Sequence, residues 1–276
     1  MYTHLQSKAR EVPPVSLSTL RKMKAEGEKI ACITAYDASF ATVVDNAGVD
    51  VVLVGDSLGM VVQGHDTTIP VSMDDMIYHC RATLRGLYRP FLIADLPFMS
   101  YSTPDQAATN SARLMQEGKA SMVKLEGGAP QLHVVEHLAK CDIPICAHIG
   151  LTPQSVHKLG GFRVQGRDRQ DADDMVQAAV DLESAGADMV LLECIPTGLA
   201  SRIHAAVNVP VIGIGAGPDV DGQILVLYDV LDITPGRKPR FSHNFLAGRD
   251  SVGAAVTAYV DAVKSGEYPA AQHCFD

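Results

Sequence analysis

Three features are missing from this sequence, and each absence excludes a class of protein. Its six cysteines include no Cys-x-x-Cys pair and are scattered, which argues against a disulfide-stapled secreted scaffold and fits a reducing cytosol. No run approaches the roughly 18 consecutive apolar residues of a membrane-spanning helix. Basic residues are outnumbered by acidic ones, 23 to 32, so the surface is poorly suited to nucleic acid. We expect a soluble, cytoplasmic protein without nucleic-acid or membrane partners, whose ligands are small molecules.

The length and composition favour one folded domain. Residues 1–14 are polar and lack the apolar core of a secretion signal, so we interpret them as a flexible N-terminal extension. The chain is 47% hydrophobic and 20% charged, which excludes global disorder. It contains no linker, low-complexity tract or short repeat, and 276 residues is an ordinary length for one α/β barrel. We predict a single catalytic domain over residues 1–276.

Short runs rich in Val, Ile and Leu alternate with helical patterns along the chain. Continuous apolar character is typical of strands that are buried on both faces, as in parallel sheets. Eight such runs separated by helices favour a (β/α)8 TIM barrel; a Rossmann-like sheet is the alternative, but the first run lacks its glycine-rich turn. The last run is ambiguous, because residues 226–228 also suit a helix. The predicted strands are 30–36, 50–56, 90–95, 120–126, 143–149, 187–193, 209–215 and 225–230.

Capping signals predict the helices between these strands. Ser72 with Asp75, and Thr103 followed by Pro104, are typical helix starts. A helix over residues 18–26 precedes the first strand and is expected to cover the bottom of the barrel; the others are expected at 72–86, 103–118, 171–185 and 251–264. Two connections, 57–71 and 150–170, are long enough to form lids or substrate walls.

Five predicted strands in succession end on an acidic residue or a histidine: Asp56, Asp95, Glu126, His148 and Glu193. One such residue alone could simply cap the next helix or turn. In a barrel, however, all five strand ends meet at one mouth, where catalytic residues lie. The series therefore favours an active site over five separate caps.

Four carboxylates at one mouth repel one another unless a cation or a proton intervenes. Asp56, Asp95 and Glu126 offer only oxygen ligands, which suit a hard ion such as Mg²⁺. Lys124 lies two residues before Glu126 and therefore points to the same side of the strand. It could neutralise the acids, bind a substrate carboxylate, form a Schiff base, or simply pair with Glu126.

Two further residues and one loop complete the predicted site. His148 could donate a hydrogen bond to a substrate oxygen or be a structural histidine, and Glu193 could act as general base. The glycine-rich loop 213–217 could hold an anion or only permit a tight turn. Together these groups suit a 2-oxo acid whose enolate is stabilised by a metal ion after proton removal beside the carbonyl.

Several motifs in the chain resemble a known family. They occur in order over residues 15 to 270, and such long ordered matches are far more specific than a single glycine loop. The motifs are ITAYD (33–37), LVGDSLGM (53–60), QGHD (63–66), ADLPFM (94–99), VKLEGG (123–128), HIGLTPQS (148–155), VQGR (164–167), LECIP (192–196), and GIGAG (213–217) leading into DGQ (221–223). On these residues the chain resembles the ketopantoate hydroxymethyltransferase family.

The resemblance implies a reaction and an assembly. The reaction is hydroxymethyl transfer from 5,10-methylenetetrahydrofolate to 3-methyl-2-oxobutanoate, which gives 2-dehydropantoate and tetrahydrofolate on the route to pantothenate and coenzyme A. The assembly is a homo-oligomer of (β/α)8 barrels, commonly a decamer of stacked pentamers.

The resemblance also implies a role for each matching residue. One Mg²⁺ ion per subunit would be bound by Asp56, Asp95 and Glu126, with Glu126 acting directly or through water. The contacts to the oxo acid would come from Asp56, Ser57, Asp95, Lys124 and His148. Glu193 would accept the proton. The residues that contact the folate are not assigned. Two rival functions remain, a Schiff-base aldolase that uses Lys124 and a barrel that binds metabolites without catalysis.

Overall fold

The computed structural model describes residues 12–234, 236 and 238–276. Most of the predicted N-terminal extension, residues 1–11, lies outside this range, and residues 12–14 form neither helix nor strand. No helix in the described ranges is long and apolar enough to cross a membrane.

Eight parallel strands close into a barrel in the order of the chain, β1 to β8, with β8 paired to β1. This confirms the predicted TIM barrel. The strands are β1 Ile30–Thr34, β2 Val51–Val54, β3 Phe91–Asp95, β4 Met122–Glu126, β5 Ile145–Gly150, β6 Met189–Glu193, β7 Val211–Ile214 and β8 Gly222–Leu225. Nearly every residue in them is buried, as expected for strands that contact side chains inside the barrel and helices outside it.

Eleven α-helices lie in the described residues, and the five predicted ones are found within two residues of their expected starts. Ser72 and Asp75 form the predicted capping box, and Pro104 begins the helix that follows Thr103. The helices are α1 Leu17–Glu26, α2 Ala38–Asn46, α3 Leu58–Val61, α4 Met73–Leu84, α5 Pro104–Gln116, α6 Leu132–Lys140, α7 Val156–Leu159, α8 Arg169–Ser184, α9 Thr197–Ala206, α10 Leu227–Val230 and α11 Val252–Ser265.

The prediction for the eighth strand was wrong. The apolar run at 225–230 forms mainly helix α10, while the strand lies earlier and includes Gly222 and Gln223. Only glycine fits at 222, because a Cβ there would lie 2.4 Å from the carbonyl oxygen of Ile30. The Gln223 side chain is buried and donates a hydrogen bond to the carbonyl oxygen of Gly217. A glycine and a satisfied buried glutamine give no apolar signal in the sequence.

Helix α1 covers the bottom of the barrel, as predicted. Its Leu20 and Met23 are buried against the core, while two of its basic side chains contact acids that lie just before strands. Arg21 bonds Asp188, which precedes β6, and Lys24 bonds Asp221, which precedes β8, at 2.8 Å. The helix therefore ties together strand starts on different sides of the barrel, at the end opposite the predicted site.

This bottom contact predicts a stability effect with no effect on the site. Asp221 is 8% exposed and accepts hydrogen bonds from Lys24, from His204 and from the main-chain N–H of Val211. Replacing Lys24 by Met keeps the apolar stem but removes one partner of a buried carboxylate. We expect a loss of about 1–3 kcal/mol, which lowers the melting temperature by roughly 2–4 °C per kcal/mol.

The matched control is Lys22→Met on the same helix. The Lys22 side chain is 70% exposed and its ion pair with Glu26 spans 3.7 Å, so this variant should melt within about a degree of the wild type. Equal melting temperatures for the two variants, measured by circular dichroism, would show that the contact at Asp221 does not fasten the helix.

Candidate active site

The carboxyl ends of the strands bring the predicted site residues together at one mouth. Asp95, Glu126 and Glu193 are the last residues of β3, β4 and β6, while Asp56 lies two residues after β2. The register pairs Asp95 with Lys124 and Glu126 with His148, so these four belong to neighbouring positions around the barrel. All are at most 5% exposed except Glu193, whose side chain is 16% exposed.

Lys124 is a buried ammonium group among three carboxylates. Its Nζ lies 2.8 Å from Asp95 Oδ1 and 3.8 Å from Glu126 Oε1. Burial alone would lower the pKa of Lys124, but the attraction of Asp95, Glu126 and Asp56 outweighs it and raises the pKa above its ordinary value. Lys124 is therefore charged, and it neutralises the acids rather than presenting a free amine.

Asp56 and Asp95 meet beside Gly55. The main-chain N–H of Asp56 donates to Asp95 Oδ2 at 3.0 Å. A Cβ on Gly55 would lie 2.9 Å from Ser57 Oγ and 3.4 Å from Asp95 Oδ2, so any larger residue there would crowd these oxygens. Burial, with the repulsion of Asp95 and Glu126, raises the pKa of Asp56 well above its usual range.

His148 lies between two carboxylates. Its Nδ1 is 3.5 Å from Glu126 Oε1 and its Nε2 is 3.3 Å from Glu193 Oε2. Burial and the charge of Lys124 would lower the pKa of His148, but the two glutamates outweigh them and raise it. The pKa of Glu126 is lowered: burial would raise it, but His148 and Lys124 hold the carboxylate ionised. His148 therefore links the predicted base, Glu193, to the acid and lysine cluster.

Two residues that contact the site, Gln154 and Tyr36, were not predicted from the sequence. Gln154 is 5% exposed and donates hydrogen bonds to the Asp56 carboxylate and, from its main chain, to Glu126. Tyr36 shares a hydrogen bond of 2.9 Å with Ser57, which fixes the serine hydroxyl. Both residues lie in motifs that carry the family resemblance, but nothing in their spacing marks them as partners of the acids. Their contacts depend on loops that meet only in the folded barrel.

The donor set fits a divalent cation. Three carboxylates face one lysine, which leaves two excess negative charges when all are ionised. Asp95 Oδ1 is paired with Lys124, while Glu126 Oε1 has only longer contacts, 3.8 Å to Lys124 Nζ and 3.5 Å to His148 Nδ1. Within the described ranges, however, no three His, Cys, Asp or Glu side chains are arranged to hold an ion by themselves. The arrangement suits Mg²⁺, which is often held by one or two carboxylates and completes its shell with water and substrate oxygens.

Two of the three segments expected to contact ligands, the 150–170 connection and the glycine loop 213–217, differ in what they contact. The 150–170 connection folds back onto the end of β6, where the N–H groups of Leu151 and Gln165 donate to the carbonyls of Glu193 and Cys194. It therefore forms a wall beside the predicted base. The glycine loop 213–217 is covered instead, because Gly215 packs against the rings of Phe241 and Phe275. These contacts favour a tight turn over an anion-binding loop.

Comparisons with solved structures show the same fold. Phosphonopyruvate hydrolase superposes with a TM-score of 0.59 at 16% identity, covering 77% of this chain and 80% of that one. Oxaloacetate acetylhydrolase in complex with 3,3-difluorooxalacetate gives a TM-score of 0.57 at 15% identity, with 79% and 82% covered. At these identities the likeness shows the barrel architecture alone.

Comparisons of sequence identify the family. The family profile described as ketopantoate hydroxymethyltransferase matches residues 14–271. The 3-methyl-2-oxobutanoate hydroxymethyltransferase of Alkalilimnicola ehrlichii is 55% identical over 275 residues, covering 100% of this chain and 99% of that relative. That of Nitrosococcus oceani is 56% identical over 255 residues, covering 92% and 97%. The resemblance drawn from the motifs is confirmed, and the chain belongs to the ketopantoate hydroxymethyltransferase family.

Proposed function

We propose that this enzyme transfers a hydroxymethyl group from 5,10-methylenetetrahydrofolate to 3-methyl-2-oxobutanoate, giving 2-dehydropantoate and tetrahydrofolate. The observation that carries the proposal is a cluster of charged side chains. Lys124 Nζ lies within 4 Å of the carboxylates of Asp95 and Glu126, and His148 lies between Glu126 and Glu193. Such a cluster offers both an anion-binding charge and a base. The names of relatives 55–56% identical to this chain support the same substrate.

The oxo acid is proposed to bind beside Asp56 and Ser57 at the barrel mouth. The ammonium of Lys124 provides the positive charge that a carboxylate or carbonyl oxygen requires. His148, whose pKa is raised, offers a further hydrogen-bond donor beside Glu126. These groups hold the carbonyl end of the substrate and leave C3 directed toward the remaining base, Glu193.

The residues that would hold Mg²⁺ are Asp56, Asp95 and Glu126, whose side chains meet at neighbouring positions of the barrel mouth; Glu126 would act directly or through water. When bound, the ion supplies a concentrated positive charge beside the carboxylate and carbonyl oxygens of the substrate.

Proton removal is the step assigned to Glu193. Its carboxylate takes the C3 proton, and the C–H bonding pair moves into C2–C3 while the carbonyl oxygen gains negative charge. Lys124 and His148 face that charge in a site from which water is largely excluded, where hydrogen bonds and ion pairs count most. Water hydrolyses the folate's methylene group: its oxygen becomes the oxygen of formaldehyde, and its two protons go to the two folate nitrogens, which are released as tetrahydrofolate. C3 then adds to the formaldehyde carbon, and the C=O bonding pair moves to oxygen. The proton held by Glu193 is returned to the new hydroxyl group.

The raised pKa of Lys124 argues against the Schiff-base alternative. Imine formation needs an unprotonated amine, whereas the three surrounding carboxylates keep this group charged. A barrel without catalysis is also disfavoured, since it has no use for an ammonium buried among three carboxylates next to a histidine and a fourth carboxylate. The decameric assembly, the cytoplasmic location and the single-domain organisation stay predictions.

Replacing Glu193 by Gln should abolish the exchange of the C3 proton of 3-methyl-2-oxobutanoate with D2O. General-base catalysis contributes about 10²–10⁴-fold, so the exchange followed by NMR should slow by at least about a hundredfold. Binding of the oxo acid should persist, because Lys124 and the aspartates are untouched. Glu136→Gln, at a side chain 59% exposed on α6, is the matched control and should exchange normally. Near-normal exchange in Glu193→Gln would remove Glu193 from this role.

Replacing Asp95 by Asn should raise the Mg²⁺ concentration that gives half-maximal exchange. Loss of a residue that only supports a metal ligand costs 10–100-fold in affinity, so loss of a direct ligand should cost at least about tenfold. The change also removes the closest counter-charge of Lys124 and should weaken oxo-acid binding. Asp105→Asn, at a side chain 99% exposed, is the control. An unchanged Mg²⁺ requirement would mean that Asp95 does not contact the ion.

A further inference from the structure

We propose that Gln154 is a positioning residue, which holds the carboxylates of Asp56 and Glu126 in the arrangement that a divalent cation requires. The proposal rests on the function proposed above and adds to it a residue with no assigned role. Gln154 lies in the short 3-10 helix Pro153–Ser155 that follows β5, and it is 5% exposed. It enters the mouth from a loop, whereas the two acids belong to other strands.

Every polar atom of the Gln154 side chain has a partner. Its Nε2 donates to Asp56 Oδ2 at 2.8 Å and to the carbonyl oxygen of Leu96 at 3.0 Å. Its Oε1 accepts the hydroxyl of Tyr101 at 2.5 Å. Both amide hydrogens and the amide oxygen are therefore used, and a flipped amide would direct its oxygen at the Asp56 carboxylate.

Tyr101 fixes the direction of this network. The main-chain N–H of Glu126 donates to the Tyr101 oxygen at 3.3 Å, so the single hydroxyl proton is free to go to Gln154. The main-chain N–H of Gln154 in turn donates to Glu126 Oε2 at 3.0 Å. One residue thus restrains a carboxylate on each side of Asp95, at the end of β2 and at the end of β4.

The chemistry of the amide explains why a neutral side chain suits this place. An arginine or lysine here would also orient the acids, but its charge would compensate them and compete with the cation. An amide donates hydrogen bonds without removing negative charge. It therefore orders Asp56 while leaving the excess charge of the cluster available to a metal ion.

The test replaces Gln154 by Met, which keeps the length and packing of the side chain but removes its hydrogen bonds. Mn²⁺ alone is the probe, and its binding is followed by electron paramagnetic resonance in the full-length protein without substrate. We expect Mn²⁺ to bind at least about tenfold more weakly, and the Mg²⁺ concentration for half-maximal C3 exchange to rise in parallel. Gln154→Glu should bind Mn²⁺ no more tightly than Gln154→Met, since a carboxylate cannot donate a hydrogen bond to Asp56.

Two further variants separate positioning from simple loss of structure. Tyr101→Phe keeps Gln154 but frees its amide, so it should shift both readouts in the same direction by a smaller factor. If Gln154→Met strongly lowers the melting temperature, Tyr101→Phe becomes the variant on which the test is decided. Gln170→Met, at an exposed site on α8, is the control. A purely structural role would reduce the amount of active protein without moving either half-saturating concentration.

The outcomes distinguish this proposal from the proposed function. Wild-type Mn²⁺ affinity in a folded Gln154→Met protein overturns the role of Gln154, whatever the exchange rate. A wild-type protein that binds Mn²⁺ but exchanges no C3 proton overturns the proposed function, while weakened Mn²⁺ binding in Gln154→Met still supports the positioning role. A wild-type protein that neither binds Mn²⁺ nor exchanges overturns both.

Discussion

The buried ammonium of Lys124, held charged by three carboxylates, is the interaction on which the rest of the site depends. Without the acids, burial would drive the pKa of this group down, and without the lysine the acids would repel one another. The balance is incomplete, because one positive charge faces three negative ones. A divalent cation would offset the two excess negative charges, so we place the metal, the oxo acid and the base in one proposal.

The barrel places the acids that stabilise the fold and the acids of the candidate site at opposite ends. At the bottom, α1 ties strand starts together through Asp188 and Asp221, and Asp50 is buried with Arg89 and Lys264. Those carboxylates are paired and hydrogen-bonded. At the mouth, Asp95 is paired with Lys124, whereas Glu126 Oε1 has only contacts of 3.5 and 3.8 Å to His148 and Lys124. The acids at the bottom each have their own basic partners, but the three carboxylates at the mouth share one lysine.

Only the features that leave a continuous pattern in the sequence could be predicted from it. Seven strands, and the four acids and one histidine at the ends of five of them, were predicted because apolar runs and the polar residues that follow them are local signals. The eighth strand was missed because Gly222 and Gln223 pack through backbone proximity and one buried hydrogen bond. Gln154 had no assigned role, since its partners come from three other segments. The glycine loop at 213–217 admitted two interpretations until Phe241 and Phe275, distant in sequence, were found against Gly215.

The most direct measurement is a crystal structure of the protein with Mg²⁺ and 3-methyl-2-oxobutanoate bound. We expect an ion within about 2.0–2.1 Å of carboxylate oxygens of Asp56 and Asp95, with Glu126 as the third acid beside it. We also expect the substrate carbonyl end beside Lys124 and C3 facing Glu193. An ion bound away from these acids, or a substrate whose C3 is directed away from Glu193, would contradict this account.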